Sequence, residues 1–272
     1  MGRWLDAVRT QSRRLLWLDE TAYTTRVLAN GRAPWLNVAA WITWRRQALR
    51  LLEPDIAVLD VVECASHWLE RERALSQHAC SVREPGAPLR TLLSDERFHR
   101  HLGELLEALR VSTRNPTALV IHSPQRWLRQ SYWWAFAASP DLDEDVIEDA
   151  AGDISRMLRA LSHIGTDALL LLEDAMPPAR VGDLLSCYSS ISNVARHYRW
   201  DAGICLPGGA PDDLKGLDFA VVPCEGATEA IPNASFWKAS VSLPLETGSF
   251  LYAVVPEDAD PQEVLERLRA LR

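Results

Sequence analysis

Glu63, His122 and Glu173 are the residues of this chain whose types could do chemistry and whose positions invite it. Each stands at or near the C-terminal end of a short apolar run. The runs are Asp55-Ile56-Ala57-Val58-Leu59-Asp60-Val61-Val62-Glu63-Cys64, Thr117-Ala118-Leu119-Val120-Ile121-His122, and Leu169-Leu170-Leu171-Leu172-Glu173-Asp174. A carboxylate so placed can act as a general acid or base, or orient a substrate amine. For Glu173 the competing role is a helix cap or a salt bridge beside Asp174. For His122 it is a hydrogen-bonded strand-end histidine. Cys205 and Cys224 end two further runs, with Glu225 directly after the second. Thiols in such places also serve as small buried apolar groups.

An apolar run closed by polar residues and followed by an amphipathic stretch reads as a parallel strand buried on both faces, with a covering helix. Such strands are expected at 36–42, 56–62, 117–122, 168–173, 202–206, 219–223, 238–243 and 250–255. Eight strand–helix units of this length fit an α/β fold, a (β/α)8 TIM barrel of eight parallel strands. The chain is then a single domain over 1–272, with an N-terminal helical segment over 1–34 and the barrel over 35–272. On such a barrel the C-terminal strand ends converge on one site, and residues from five separate strands meet there.

Composition narrows the partners. The net charge of -8 removes the electrostatic footprint of a nucleic-acid binder. No run of eighteen apolar residues suggests a membrane span. Five cysteines, widely spaced and without a CxxC, read as reduced thiols, and the expected location is cytoplasmic. Eleven tryptophans fall largely on apolar faces and read as core. The oligomeric state is open.

Four fragments carry a family resemblance. They are Leu52-Glu53-Pro54-Asp55 before the second run, and His122-Ser123-Pro124-Gln125-Arg126-Trp127 after the third. Gly165-Thr166-Asp167-Ala168 precedes the fourth, and Pro256-Glu257-Asp258-Ala259-Asp260-Pro261-Gln262-Glu263-Val264 opens the last helix. Their order resembles the superfamily of uroporphyrinogen decarboxylase and cobalamin-independent methionine synthase. That resemblance implies a TIM barrel with its site at the C-terminal strand ends. It implies a small-molecule substrate or partner, such as a corrinoid, pterin or tetrapyrrole. The decarboxylase's aspartate after the second strand would correspond to Glu63 or Asp60. The thiol methyltransferase branch binds zinc through a His-x-Cys, and the matching stretch here is Gly203-Ile204-Cys205, with the cysteine but not the histidine. The zinc ligands implied are Cys205, Glu225 and Cys224, with His122 as an alternative.

Three functions stay open on this reading. The first is methyl transfer to a thiol or related one-carbon chemistry, with a divergent or absent metal site in which zinc is the candidate. Another is decarboxylation of a carboxylated, tetrapyrrole-like substrate without metal. The third is a barrel that binds or assembles without catalysis.

Overall fold

The computed structural model describes residues 3–10, 15–223, 230–231 and 250–271. The chain opens with α1 (Arg3–Thr10), β1 (Leu15–Asp19), α2 (Thr21–Ala29), α3 (Val38–Leu52), β2 (Ala57–Asp60) and α4 (Val61–Arg71). It continues through α5 (Arg73–Ala79), α6 (Ala87–Leu93), α7 (Glu96–Ser112), β3 (Thr117–His122), α8 (Pro124–Phe136) and α9 (Glu144–Leu161). Then come β4 (Ala168–Leu172), α10 (Pro178–Cys187), α11 (Ser189–Tyr198) and β5 (Asp201–Cys205). The described part ends with β6 (Phe219–Pro223), β7 (Ala230–Ile231), β8 (Phe250–Val254) and α12 (Pro261–Leu271).

The molecule is mixed α/β with parallel strands. One sheet runs β2-β3-β4-β5-β6-β7, and β1 pairs with β8 in a second. Every pairing is parallel. Side chains alternate along each strand, and here they alternate between hydrophobic clusters. Leu119, Ile121, Leu169, Leu171, Ala202 and Ile204 pack outward against the helices. Ala118, Val120, Ala168, Leu170 and Cys205 turn to an inner cluster shared with Leu15, Trp17, Val58, Val221 and Tyr252. Both sheets therefore face one interior.

Aromatic rings fill that interior. Trp4 lies edge-on to Trp17 with centroids 5.1 Å apart, and 4.6 Å from Phe250. Phe219 meets Phe250 at 5.4 Å and 88°. Edge-to-face pairs of this kind contribute about 0.5–1.5 kcal/mol beyond area burial. Helix α1 brings Trp4, Leu5 and Val8 to the N-terminal strand ends, and its Leu5 N–H donates to Asp201 Oδ2 at 2.8 Å. The helix is thus a plug on that side.

Two expectations are corrected. Residues 35–42 do not form the first strand, because they open α3. Asn37 accepts from the Ala40 N–H at 3.0 Å, capping the helix, and Trp41, Trp44, Ala48 and Leu52 form its buried stripe at helical spacing. The first strand is β1, inside the segment expected to be helical throughout. Its Leu15-Leu16-Trp17-Leu18 run is buried on both faces, and a run of consecutive apolar residues satisfies either periodicity. The strand expected at 238–243 lies outside the described residues. Among the described residues, no helix is long and apolar enough to cross a membrane.

Gly203 tests the packing of the interior. A Cβ there would overlap the Phe219 ring, which is itself wedged among Trp4, Trp17 and Phe250. Gly203→Ala is expected to lower stability by roughly 1–3 kcal/mol in urea unfolding, with partial recovery in the Gly203→Ala/Phe219→Leu double variant. A neutral Gly203→Ala would mean that the ring yields freely.

Candidate active site

The period of two that sends Trp17, Val58 and Val120 inward does the same for Asp19, Asp60 and His122, the last residues of β1, β2 and β3. Cys205 ends β5 on the same side. Asp19 sits opposite Val254 of β8, and two positions earlier Tyr252 donates its hydroxyl to Asp19 Oδ2 at 3.3 Å. Asp60 is also the N-cap of α4. Its Oδ1 accepts from the Val62 and Glu63 N–H groups at 2.9 and 3.0 Å. Trp17, Asp19, Thr21, Asp60 and Tyr252 line a small cavity between β1 and β2.

Burial tunes these groups in opposite directions. It raises Asp19 from the usual carboxylate range to about 6, assisted by the neighbouring charge of Glu20 and opposed by the Tyr252 hydroxyl. It raises Asp60 to about 7, opposed by the helix-cap N–H groups and assisted by the charges of Asp19 and Glu63. His122 is pushed down to about 3, first by burial and then by the Arg126 guanidinium, while a bond to Gln130 pulls it back. Burial pushes the Cys205 thiol up to about 12 against the pull of Arg126. Near neutral pH the site therefore holds two aspartates that keep protons more readily than free carboxyls, a neutral imidazole and a protonated thiol. His122 Nδ1 is buried without a hydrogen-bond partner. Arg126, in the first turn of α8, adds a half-buried cation that leans toward Asp174 at 3.6 Å.

The sequence candidates divide. His122 and Cys205 turn to the interior, as their places at strand ends suggest. Glu63 is corrected: β2 stops at Asp60, so Glu63 lies in the first turn of α4, exposed, and its backbone is held by Asp60. Its charge still bears on both Asp19 and Asp60. Glu173 follows Leu172, and so points away from the interior to the helix layer. There it is 2% exposed, and its Oε2 accepts the Tyr188 hydroxyl at 2.6 Å while Oε1 accepts the Asp174 N–H at 2.8 Å. Burial raises its pKa. This carboxyl fastens the end of β4 to the α10–α11 junction. Cys224 and Glu225 lie outside the described residues. Among the described residues no three His, Cys, Asp or Glu side chains gather closely enough for a metal ion. Cys205 and its described neighbours do not by themselves supply the three protein ligands that zinc needs.

Asp19, Tyr252 and Arg126 were not legible as site residues from sequence. The signal for Asp19 was present: Leu15-Leu16-Trp17-Leu18-Asp19 repeats the pattern of an apolar run ended by a carboxylate. Asp60 was legible, but a strand drawn too long favoured Glu63. No family model and no curated protein matches this chain.

Two measurements check these assignments. A raised Asp60 keeps its proton longer folded than unfolded, so its contribution to stability declines as pH rises from about 4 to about 7. Asp60→Asn, which preserves the cap, should gain on the wild type across that window. A lowered His122 has the reverse sign: its cost grows as pH falls from about 6.5 toward 3, so His122→Gln should gain in acid. Parallel stability curves for variant and wild type would contradict either shift. Separately, Tyr188→Phe strips Glu173 Oε2 of its donor and is expected to cost roughly 1–3 kcal/mol without changing ligand affinity at the interior site.

Proposed function

We propose that the two sheets are arcs of one eight-stranded parallel barrel, and that its C-terminal mouth is an acid–base site for a small carboxylated substrate. Closure is supported where β1 meets the approach to β2. The Asp55 N–H donates to the Leu16 carbonyl at 2.8 Å, and the Leu16 N–H donates to Asp55 Oδ2 at 2.7 Å. On its other side β1 pairs with β8 over five residues. Seven of the eight strands send residues to the single inner cluster or to the strand ends above it.

The observation that carries the reaction class is that Asp19 and Asp60 end neighbouring strands on the inward side and line one buried cavity, where burial raises both. A general acid or base works best when its pKa lies near the working pH. Two titratable groups pushed to different values divide those roles. Here Asp60 would supply a proton and Asp19 would remain the base. Arg126 matches a substrate carboxylate in charge and in planar geometry. Decarboxylation needs this set: the carbon–carbon bond to the carboxylate breaks, its electron pair stays on carbon, CO2 leaves, and the carbon takes a proton from Asp60.

Methyl transfer is the second reading, favoured by the inward position of Cys205. It requires Cys224 and Glu225 to complete a zinc set with that thiol. Metal analysis of protein purified without chelator separates the two. Stoichiometric zinc that is lost in Cys205→Ser would replace decarboxylation with methyl transfer.

The direct test is a thermal-shift and CO2-release screen of small dicarboxylates and tricarboxylates, tetrapyrrole carboxylates, pterins and corrinoids. Carboxylates are expected to bind, and Arg126→Gln should weaken them by tenfold or more, about 1.4 kcal/mol. Asp60→Asn should keep binding and lose roughly 10²–10⁴-fold in turnover. Binding without turnover in the wild type would leave a ligand-carrying barrel instead.

A further inference from the structure

The cavity between Asp19 and Asp60 has a volume of about 10 Å³, close to the least space that a single water needs. Such a space holds water only if it also presents two to four polar partners. Asp19, Asp60, Thr21 and Tyr252, which carry two carboxyls and two hydroxyls, all belong to its lining. So does Trp17, whose indole N–H is buried without a partner. The helix cap uses Oδ1 of Asp60, and Oδ2 takes no part in it. Tyr252 holds Asp19 from the other side.

We propose that one water occupies this cavity and joins Asp60 to Asp19 as a single proton relay, with Tyr252 positioning the Asp19 end. This rests on the reading of the two aspartates as the acid–base pair. The step balances: the Asp60 O–H breaks as its proton passes to the water oxygen, and one water O–H breaks as its proton passes to the Asp19 carboxylate. The water is left intact. Run in either direction, such a relay moves one proton between the two carboxyls; the proton consumed in each turnover enters from solvent.

Charged and titratable groups surround the pair. Glu20 faces Asp19, but is itself bonded to Arg45 at 2.8 Å. Glu63 faces both aspartates from the exposed side of α4, Cys64 lies against Asp60, and Cys205 lies against Asp19 and Tyr252. Two carboxyls that line one buried cavity resist double ionisation, and a water that accepts from one while donating to the other lets a single proton serve both.

The test is an atomic-resolution crystal structure of the full chain together with carbon-13 NMR titration of labelled aspartates. Wild type, Asp19→Asn, Asp60→Asn and Tyr252→Phe are compared. Asparagine preserves both the α4 cap and an acceptor for Tyr252, and circular dichroism checks that each variant is folded. The expected structure has one water within about 2.6–3.2 Å of both carboxyls. The expected titration has each aspartate ionising about one pH unit lower when the other is replaced, the mark of coupled sites. Tyr252→Phe should move Asp19 upward. Independent titrations, or a direct carboxyl–carboxyl contact with no water, would overturn the relay. So would a response of either aspartate to added magnesium or manganese, which would make the cavity a cation site. None of these readouts depends on a substrate, so the relay can fail while the proposed reaction stands, and the reverse.

Discussion

The packing of Trp4, Trp17, Phe219 and Phe250 against one another sets the position of everything that matters for chemistry. These rings occupy the space toward which both sheets turn alternate side chains, and helix α1 seals it from the N-terminal ends. Above the rings, at the C-terminal ends, the inward residues Asp19, Asp60 and His122 are polar. Because the floor beneath them is dry, every ionisable group there loses hydration. The direction of the loss depends on the group: carboxyls and the thiol move up, and the imidazole moves down.

That arrangement works against the stability of the fold. Asp19, Asp60 and His122 are all held away from their ordinary protonation behaviour, and each would be less costly as an apolar residue. Asp60 offsets part of its cost by capping α4, a role generally worth about 1 kcal/mol. The buried Glu20–Arg45 pair, with both side chains 2% exposed, neutralises the charge next to Asp19. It thereby lets Asp19 share the junction with Glu20 without two unpaired anions. Glu173 shows the alternative fate of a strand-end carboxyl. One residue further along, it faces helices instead of the interior, and its oxygens are consumed by Tyr188 and a backbone N–H.

The pattern of apolar runs ending in polar residues, separated by helical stripes, was enough to place β3, β4, β5, β6 and β8 and to imply parallel pairing. It was enough because a strand buried on both faces has to be apolar throughout, whatever its neighbours are. His122 and Cys205 were legible for the same reason: each is the last inward residue of such a run. Register at the start of the chain was not legible. Leu15-Leu16-Trp17-Leu18 fits a strand or a helix equally, and only pairing with β8 over residues 250–254 selects the strand. With β1 placed, residues 38–42 are free to follow the Asn37 cap into α3. The choice between Asp60 and Glu63, and between an inward and an outward Glu173, turned on single residues. One step along a strand reverses the face, and only the three-dimensional pairing fixes where the strand stops. The near-neutral carboxyls were beyond the sequence altogether, because a pKa is moved by what surrounds a group, and Tyr252 reaches Asp19 from 233 residues away.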